Sequence, residues 1–305
     1  MSPKPIIYEN FAWYDFVEPS AADLQFLAQK FKFHPLDLED CQTENQRPKI
    51  DEYPNYFFLV LHFPLFQNKT RRVTMAEVDL FFGADFIVTI HRGSLSPLTK
   101  IKAACQKSVE RKKYLGRGIG YFLYELTSEL FDYCFPIFDK LSKSTTELEK
   151  AVFDEEGETE DLVREIVLLR KNIIALRRIL GPERPVIANL EHKNKKFLPD
   201  TLEIYFDDVV DKIEKLWHLL DSLKEVAETL QNANESLISH RTENTIKLLT
   251  VFSVILLPLT LLSGIFGMNV FLPFHESVWA LGVIVLIMGL IAGAMFWFFR
   301  WQKLI

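Results

Sequence analysis

Ile246, Leu249, Ser253, Leu257, Thr260, Gly264 and Gly267 follow one another at three- and four-residue steps, and Asn269 closes the run. Such spacing puts them on one face of a helix. Two hydroxyls, two glycines and an amide in an apolar setting are chemically suggestive. Amide oxygens arranged in a ring can hold the water shell of a cation, which suits Mg²⁺ because it gives up its waters reluctantly. The residues alone leave another reading open, because small side chains also let helices pack closely in a membrane. Gly267-Met268-Asn269 reads equally as a helix C-terminus. Counting back along the face reaches residue 242 or 243. A ring of Glu243 carboxylates would raise one another's pKa and hold a passing cation. Alternatively Glu243 turns aside to Arg241 or Lys247, and Asn244 takes the inward place.

The elements that must carry this face are two apolar spans. Leu248–Phe274 is 27 residues without a charge and Ser277–Phe299 is 23. Each is long enough to cross a bilayer, which takes about 20 apolar residues. From Leu248 onward only Glu276, Arg300 and Lys303 are charged, a net +1, so of the chain's −6 the part before the spans carries −7. An acidic soluble part argues against nucleic acid as a partner. Arg241 and Lys247 precede the spans, Arg300 and Lys303 follow them, and the loop between has no basic residue. The positive-inside rule then expects both termini in the cytoplasm. Residues 1–18 show no apolar signal-peptide core, so secretion is not expected. Two spans cannot enclose a pore, whereas a ring of chains can.

Before the spans, residues 1–92 read as mixed α/β. Trp13–Val17, Tyr56–Phe63, Val78–Phe82 and Phe86–Ile90 have strand composition, with a turn at Gly83-Ala84-Asp85. Ser20 and Asp23 form an N-cap signal ahead of Leu24, Leu27, Ala28 and Phe31. From Pro97 the pattern is helical, with one segment over Leu115–Phe153 and a second over Glu160–Leu180. Gly181, Pro182 and Pro185 are expected to stop the second. A third helix is expected from about Pro199. Its seam, Val209, Ile213, Leu216, Leu220, Leu223, Ala227, Leu230, Asn234 and Leu237, calls for a partner helix from this chain or a copy of it. No Pro or Gly falls between Asp200 and Pro258, so this helix can run on into the first span.

Other features carry no chemistry by pattern. Cys41, Cys105 and Cys134 are dispersed and expected to pack as small apolar residues. The seven histidines show no ligand spacing, and no nucleophilic triad is visible. The Gly116-x-Gly118-x-Gly120 run follows no strand, so no nucleotide is expected. The acidic Asp154–Asp161 turn reads as a solvated hairpin tip.

Several segments carry a resemblance. Tyr205-Phe206-Asp207-Asp208-Val209, Lys247-Leu248-Leu249-Thr250, Pro258-Leu259-Thr260 and Gly264-Ile265-Phe266-Gly267-Met268-Asn269 resemble the CorA family of magnesium transporters. So do His34-Pro35-Leu36-Asp37-Leu38-Glu39-Asp40, Gln46-Arg47-Pro48-Lys49, Asn55-Tyr56 and Glu77-Val78-Asp79-Leu80. The resemblance covers essentially the whole chain in order. It implies an α+β cytoplasmic domain, long helices and two C-terminal transmembrane helices, assembled as a funnel-shaped homopentamer in the inner membrane. It implies a selectivity ring of Asn269 with Gly267 and Met268, a pore lined by Ser253, Thr260 and Gly264, and an apolar constriction of Ile246, Leu249 and Leu257. A regulatory cytoplasmic Mg²⁺ site between subunits would map onto Asp40 and Asp208, with Glu39 beside it. A second carboxylate site is weakened, because Ser128 stands where an acid is expected. Leu257 replaces a frequent Met, Glu243 a frequent Asn, and the basic tail is reduced to Arg300 and Lys303.

The resulting organisation is residues 1–92 as the α/β domain, 93–198 as long cytoplasmic helices and 199–247 as a stalk. Residues 248–269 form the first membrane helix, 270–276 an external loop, 277–299 the second membrane helix and 300–305 a tail. The expected activity is Mg²⁺ uptake driven by the membrane potential and gated by cytoplasmic Mg²⁺. Co²⁺, Ni²⁺ or Zn²⁺ are the alternative cargo. A membrane-anchored coiled-coil protein with structural or signalling duties is the alternative of another class.

Overall fold

The computed structural model describes residues 4–43, 46–153, 159–193, 202–268 and 278–302. Contacts divide the chain into two units, Met1–Gln231 and Asn232–Ile305. The first is built on a sheet with the order β1-β2-β6-β5-β4-β3. Its strands are β1 (Ile6–Tyr8), β2 (Phe11–Val17), β3 (Lys49–Glu52), β4 (Tyr56–Gln67), β5 (Arg72–Gly83) and β6 (Phe86–His91). β2 and β6 run parallel, and every other pair is antiparallel. Both faces are covered, which is why β4 reads as an unbroken apolar run rather than an alternating one. On one face Phe16, Phe58, Val60, Phe81, Val88 and Ile90 pack under α1 (Ala21–Phe31) and α2 (Pro35–Asp40). On the other, Trp13 and Phe63 meet Phe122 and Phe131 edge-on, with ring centroids 5.0 and 5.2 Å apart. The capping box of Ser20 and Asp23 starts α1 as its sequence demands. The three cysteines are buried and free.

The helical part differs from expectation in two places. Leu115–Phe153 is not one helix. After α3 (Ser96–Cys105), α4 (Ser108–Leu115) gives way to α5 (Ile119–Asp132) and then α6 (Phe135–Phe153). Gly118 caps α5 at φ +91°, a conformation that favours glycine, which accounts for the middle glycine of the run. Pro136 is the second residue of α6, where a missing N–H is harmless, and it prevents α5 from continuing. The second difference is α7, which runs through Gly181, Pro182 and Pro185 as one helix, Thr159–Lys193. A proline inside a helix costs about 3 kcal/mol. Tertiary contacts offset this. Leu180, Val186, Ile187 and Leu190 are buried. Arg184 is bidentate to Glu214 at 2.8 and 2.6 Å. The fully buried Glu183 accepts the backbone N–H of His62, which lies beyond the reach of β3. Asp154–Glu158 of the acidic turn, and the expected helix start near Pro199, lie outside the described residues.

α8 spans Glu203–Phe266 without a break, and α9 spans Val278–Trp301. Both are long and apolar enough to cross a membrane. Only 6% and 0% of their apolar windows are buried within the chain, unlike the core helix of a soluble protein. The seam from Val209 to Leu230 is buried inside the first unit, covered by the chain's own helices.

Asp15 of β2 and Asp79 of β5 are both buried acids of the sheet, and Asp15 is paired with His91 and Lys102. Asp79 is 4% exposed, and its Oδ1 has no hydrogen-bond partner among the described residues. Burial, then the nearby Glu77 charge, pushes its pKa from 3.8 up to about 8. Between these values the folded state holds a proton that the unfolded chain has released. Stability is therefore full below about pH 4 and falls as pH rises toward 8. Asp79→Asn is expected to raise the thermal midpoint at pH 8.5 by about 3–6 °C and much less at pH 5. An equal effect at both pH values in thermal unfolding of the detergent-solubilised protein would show that Asp79 ionises freely.

Candidate functional site

The membrane-competent end of α8 is exposed on most of its sides, and the residues of the stripe are among the exposed ones. Ile246, Leu249 and Leu257 are 58%, 66% and 69% exposed, so the chain itself does not cover this face. Ser253, Thr260 and Gly264 are exposed beside them, while Val251 is buried and Ile255, Pro258, Leu259 and Leu262 are half-buried. The hydroxyls are not idle. Ser253 donates to the carbonyl of Leu249 at 2.8 Å and Thr260 to that of Leu256 at 2.9 Å. Back-bonding of this kind satisfies the donors. Each oxygen then offers only lone pairs outward. The water shell of a cation points its hydrogens outward, so acceptors are what it needs.

α8 ends at Gly267. Its N–H reaches the carbonyl of Ser263 at 2.9 Å, and a Cβ at this position would stand 3.0 Å from that same oxygen. Met268 is exposed, and its N–H reaches the carbonyl of Ile265. Asn269 and the 270–276 loop lie outside the described residues. At the other end, the unbroken helix fixes the register. At about 100° per residue, Thr242 falls within the stripe and Glu243 about 80° to its side. The Glu243 carboxylate is 3.9 Å from Nδ1 of His240.

The cytoplasmic acids sit on firmly held elements. α2 is pinned by the buried Asp37, which accepts hydrogen bonds from Tyr53 at 2.9 Å and Tyr56 at 3.0 Å. Burial raises the pKa of Asp37, and the two tyrosine bonds counteract that in part. This fixes the end of α2, where Glu39 is exposed and Asp40 accepts from Lys49 at 2.8 Å. Lys49 also contacts Asp51 at 2.9 Å.

Asp208 lies near the start of α8, with Tyr124 donating to it at 3.2 Å and the Lys212 ammonium in a looser ion pair at 3.6 Å. Phe206 and Val209 beside it are buried. Tyr205 accepts from Arg117 at 2.8 Å, and Tyr121 and Tyr124 meet its ring edge-on. The Tyr205–Val209 segment thus docks α8 against α5. Ser128, where an acid was expected, accepts from Lys212 at 2.6 Å, and Asp132 does so at 2.7 Å. An ammonium therefore stands beside Ser128, Asp132 and Asp208. Among the described residues no group of three His, Cys, Asp or Glu within one chain is placed to hold a metal. Asp40 and Asp208 are each held by their own lysine on separate elements.

The family described as CorA-like Mg²⁺ transporter protein matches residues 8–301. The chain belongs to the CorA family. It is 32% identical to YfjQ of Bacillus subtilis over 95% of this chain and 89% of the relative. It is 26% identical to the cobalt/magnesium transport protein CorA of Thermotoga maritima, covering 92% of this chain and 79% of that one. The complete structure of the CorA magnesium transporter from Methanocaldococcus jannaschii superposes with a TM-score of 0.82 at 21% identity, over 95% of this chain and 90% of that one. The soluble α/β domain, the long helix and the two apolar C-terminal helices are therefore the CorA fold. The chain is a metal ion transporter of the membrane and not an enzyme.

Sequence reasoning on this CorA chain missed the two lysines. Asp208 and Lys212 are four apart on a helix, so their pairing was within reach of pattern. The Asp40–Lys49 pair crosses a loop and has no sequence signature.

Proposed function

We propose that five copies of the chain surround one pore and conduct Mg²⁺ into the cytoplasm, with both termini on the cytoplasmic side of the inner membrane. The observation that carries this reading is the exposed stripe of α8, whose hydroxyls turn only acceptors outward. In a ring of copies, that stripe faces the axis. Leu249, Leu257 and Ile246 form the apolar constriction, Ser253, Thr260 and Gly264 the acceptor-lined stretch, and Gly267, Met268 and Asn269 the filter. The potential supplies about 2.3 kcal/mol per charge per 100 mV, so about twice that for a divalent ion, and no nucleotide hydrolysis is required. Asp40 and Asp208 of neighbouring copies share a regulatory Mg²⁺ with Glu39 alongside, which ties the ring shut when cytoplasmic Mg²⁺ is high. The name of the Thermotoga relative pairs cobalt with magnesium, which keeps Co²⁺ as the second reading for the cargo. An anchored coiled coil is disfavoured because the seam of α8 is already covered by its own chain. Flux into proteoliposomes, comparing Mg²⁺, Co²⁺, Ni²⁺ and Zn²⁺, tests the reading. Mg²⁺ entry that follows the imposed potential supports it, and no divalent flux sinks it.

Glu243 marks the inner mouth. It stands to the side of the stripe, from where a glutamate side chain reaches the axis. A carboxylate at roughly 7 Å attracts a divalent ion by about 1 kcal/mol even in water. Glu243→Gln is therefore expected to lower divalent conductance several-fold, while Asn244→Ala does little. Single-channel or flux recordings decide this. An unchanged Glu243→Gln with a large loss in Asn244→Ala would place Asn244 inward instead.

A further inference from the structure

A groove of about 1080 Å³ lies between α7 and the β3 edge of the sheet. Arg47, Lys49, Lys171 and Arg178 line it, and no Asp or Glu does so among the described residues. That is the wrong sign for a cation cargo, and it stands out in a chain of net charge −6. The charges converge from two elements. Lys171, Ile174 and Arg178 repeat at i, i+3 and i+7 on one face of α7. Arg47 and Lys49 come from the edge strand and the residues before it.

Three of the four are free. Other arginines of α7 have partners: Arg164 has Glu160, Arg170 has Gln231, Arg177 has the Trp217 ring and Arg184 has Glu214. Arg47, Lys171 and Arg178 have no side-chain hydrogen bond or ion pair among the described residues, and all three are exposed. Lys49 is held by Asp40 and Asp51 and counts for less. Between the charges, Ile174 is 62% exposed and joins Pro182 and Val186 in an apolar wall. Cations that converge without partners, beside an apolar surface, match an anion with several charges and a flat apolar part. Guanidinium forks suit phosphate oxygens in particular.

We propose that this groove binds an oligophosphate anion of nucleoside triphosphate size. The sequence led us to expect no nucleotide because it holds no phosphate loop. A site assembled from side chains of a helix and a strand leaves no such motif. The proposal stands apart from the pore reading.

The test is equilibrium dialysis of the full-length protein in neutral detergent with EDTA, so that metal–phosphate complexes and anionic lipid play no part. ATP and inorganic tripolyphosphate are expected to bind saturably and orthophosphate far more weakly. Lys171→Glu and Arg178→Glu should each weaken binding at least tenfold, and the milder Arg178→Gln should weaken it less, all with unchanged gel-filtration profiles. Arg164→Glu, on the same helix but outside the groove, should leave binding as it is. ATP binding tighter than tripolyphosphate supports a base on the apolar wall, and equal binding supports a site for the phosphates alone. No saturable binding at millimolar ligand would overturn the proposal. So would equal losses in Arg164→Glu and Arg178→Glu, because attraction would then be general rather than sited.

Discussion

Asn269→Ala is expected to abolish Mg²⁺ uptake while the chain still folds and assembles. The structure gives a reason on the side that precedes this residue. α8 runs unbroken to Phe266 and stops at Gly267, where a Cβ would stand 3.0 Å from the Ser263 carbonyl oxygen, a tight contact that glycine avoids. A helix C-terminus carries about half a negative charge. In a ring, five such ends meet at the entrance, and Asn269 follows each of them by three residues. In the proposed filter, its amide oxygen serves as the acceptor for the ion's water shell. A hydrogen bond to a charged group contributes about 1.5–3 kcal/mol, so losing one already costs roughly tenfold or more. A ring loses five at once, and uptake should drop at least about a hundredfold. Proteoliposome uptake with cross-linking of the assembly measures both halves. Near-normal flux in Asn269→Ala would remove Asn269 from the filter. Retained flux in Asn269→Gln alone would show that the amide matters more than its reach.

The fold was legible where local chemistry and burial agree. Ser20 with Asp23 announced α1, and the apolar run from Tyr56 announced a strand buried on both faces. The stripe of α8 was legible because helical spacing survives into the membrane, with nothing between Asp200 and Pro258 to break it. Two kinds of information were not local. Pro182 and Pro185 carry strong stop signals, yet α7 continues because Glu183 is held by β4 and Arg184 by α8, whose positions no window of sequence contains. The lysines of the cytoplasmic site were missed for a related reason. An acid that matches a motif looks like a ligand, and only the structure shows the ammonium already resting on it.

Those lysines shape the second large effect. Asp208→Ala, and separately Asp40→Ala, should raise the cytoplasmic Mg²⁺ needed to close the channel by about tenfold, the loss of one charged ligand at roughly 1.4 kcal/mol. In the proposed regulatory site, the acids of two copies repel when no ion lies between them and are drawn together when one does. In this chain that repulsion is blunted, because Lys49 sits 2.8 Å from Asp40 and Lys212 sits 3.6 Å from Asp208. An entering Mg²⁺ must displace an ammonium, or share the carboxylate with it, at a like-charge cost. Removing the acid and removing the ammonium should therefore act in opposite directions. Lys212→Gln keeps a donor for Ser128 and Asp132 but drops the charge, so it should lower the Mg²⁺ needed for closure. Currents recorded while internal Mg²⁺ is stepped measure each shift. If Asp208→Ala and the parent close at the same concentration, the regulatory ion lies elsewhere. If Lys212→Gln shifts closure the same way as Asp208→Ala, Lys212 supports the fold of the site and does not compete with the ion.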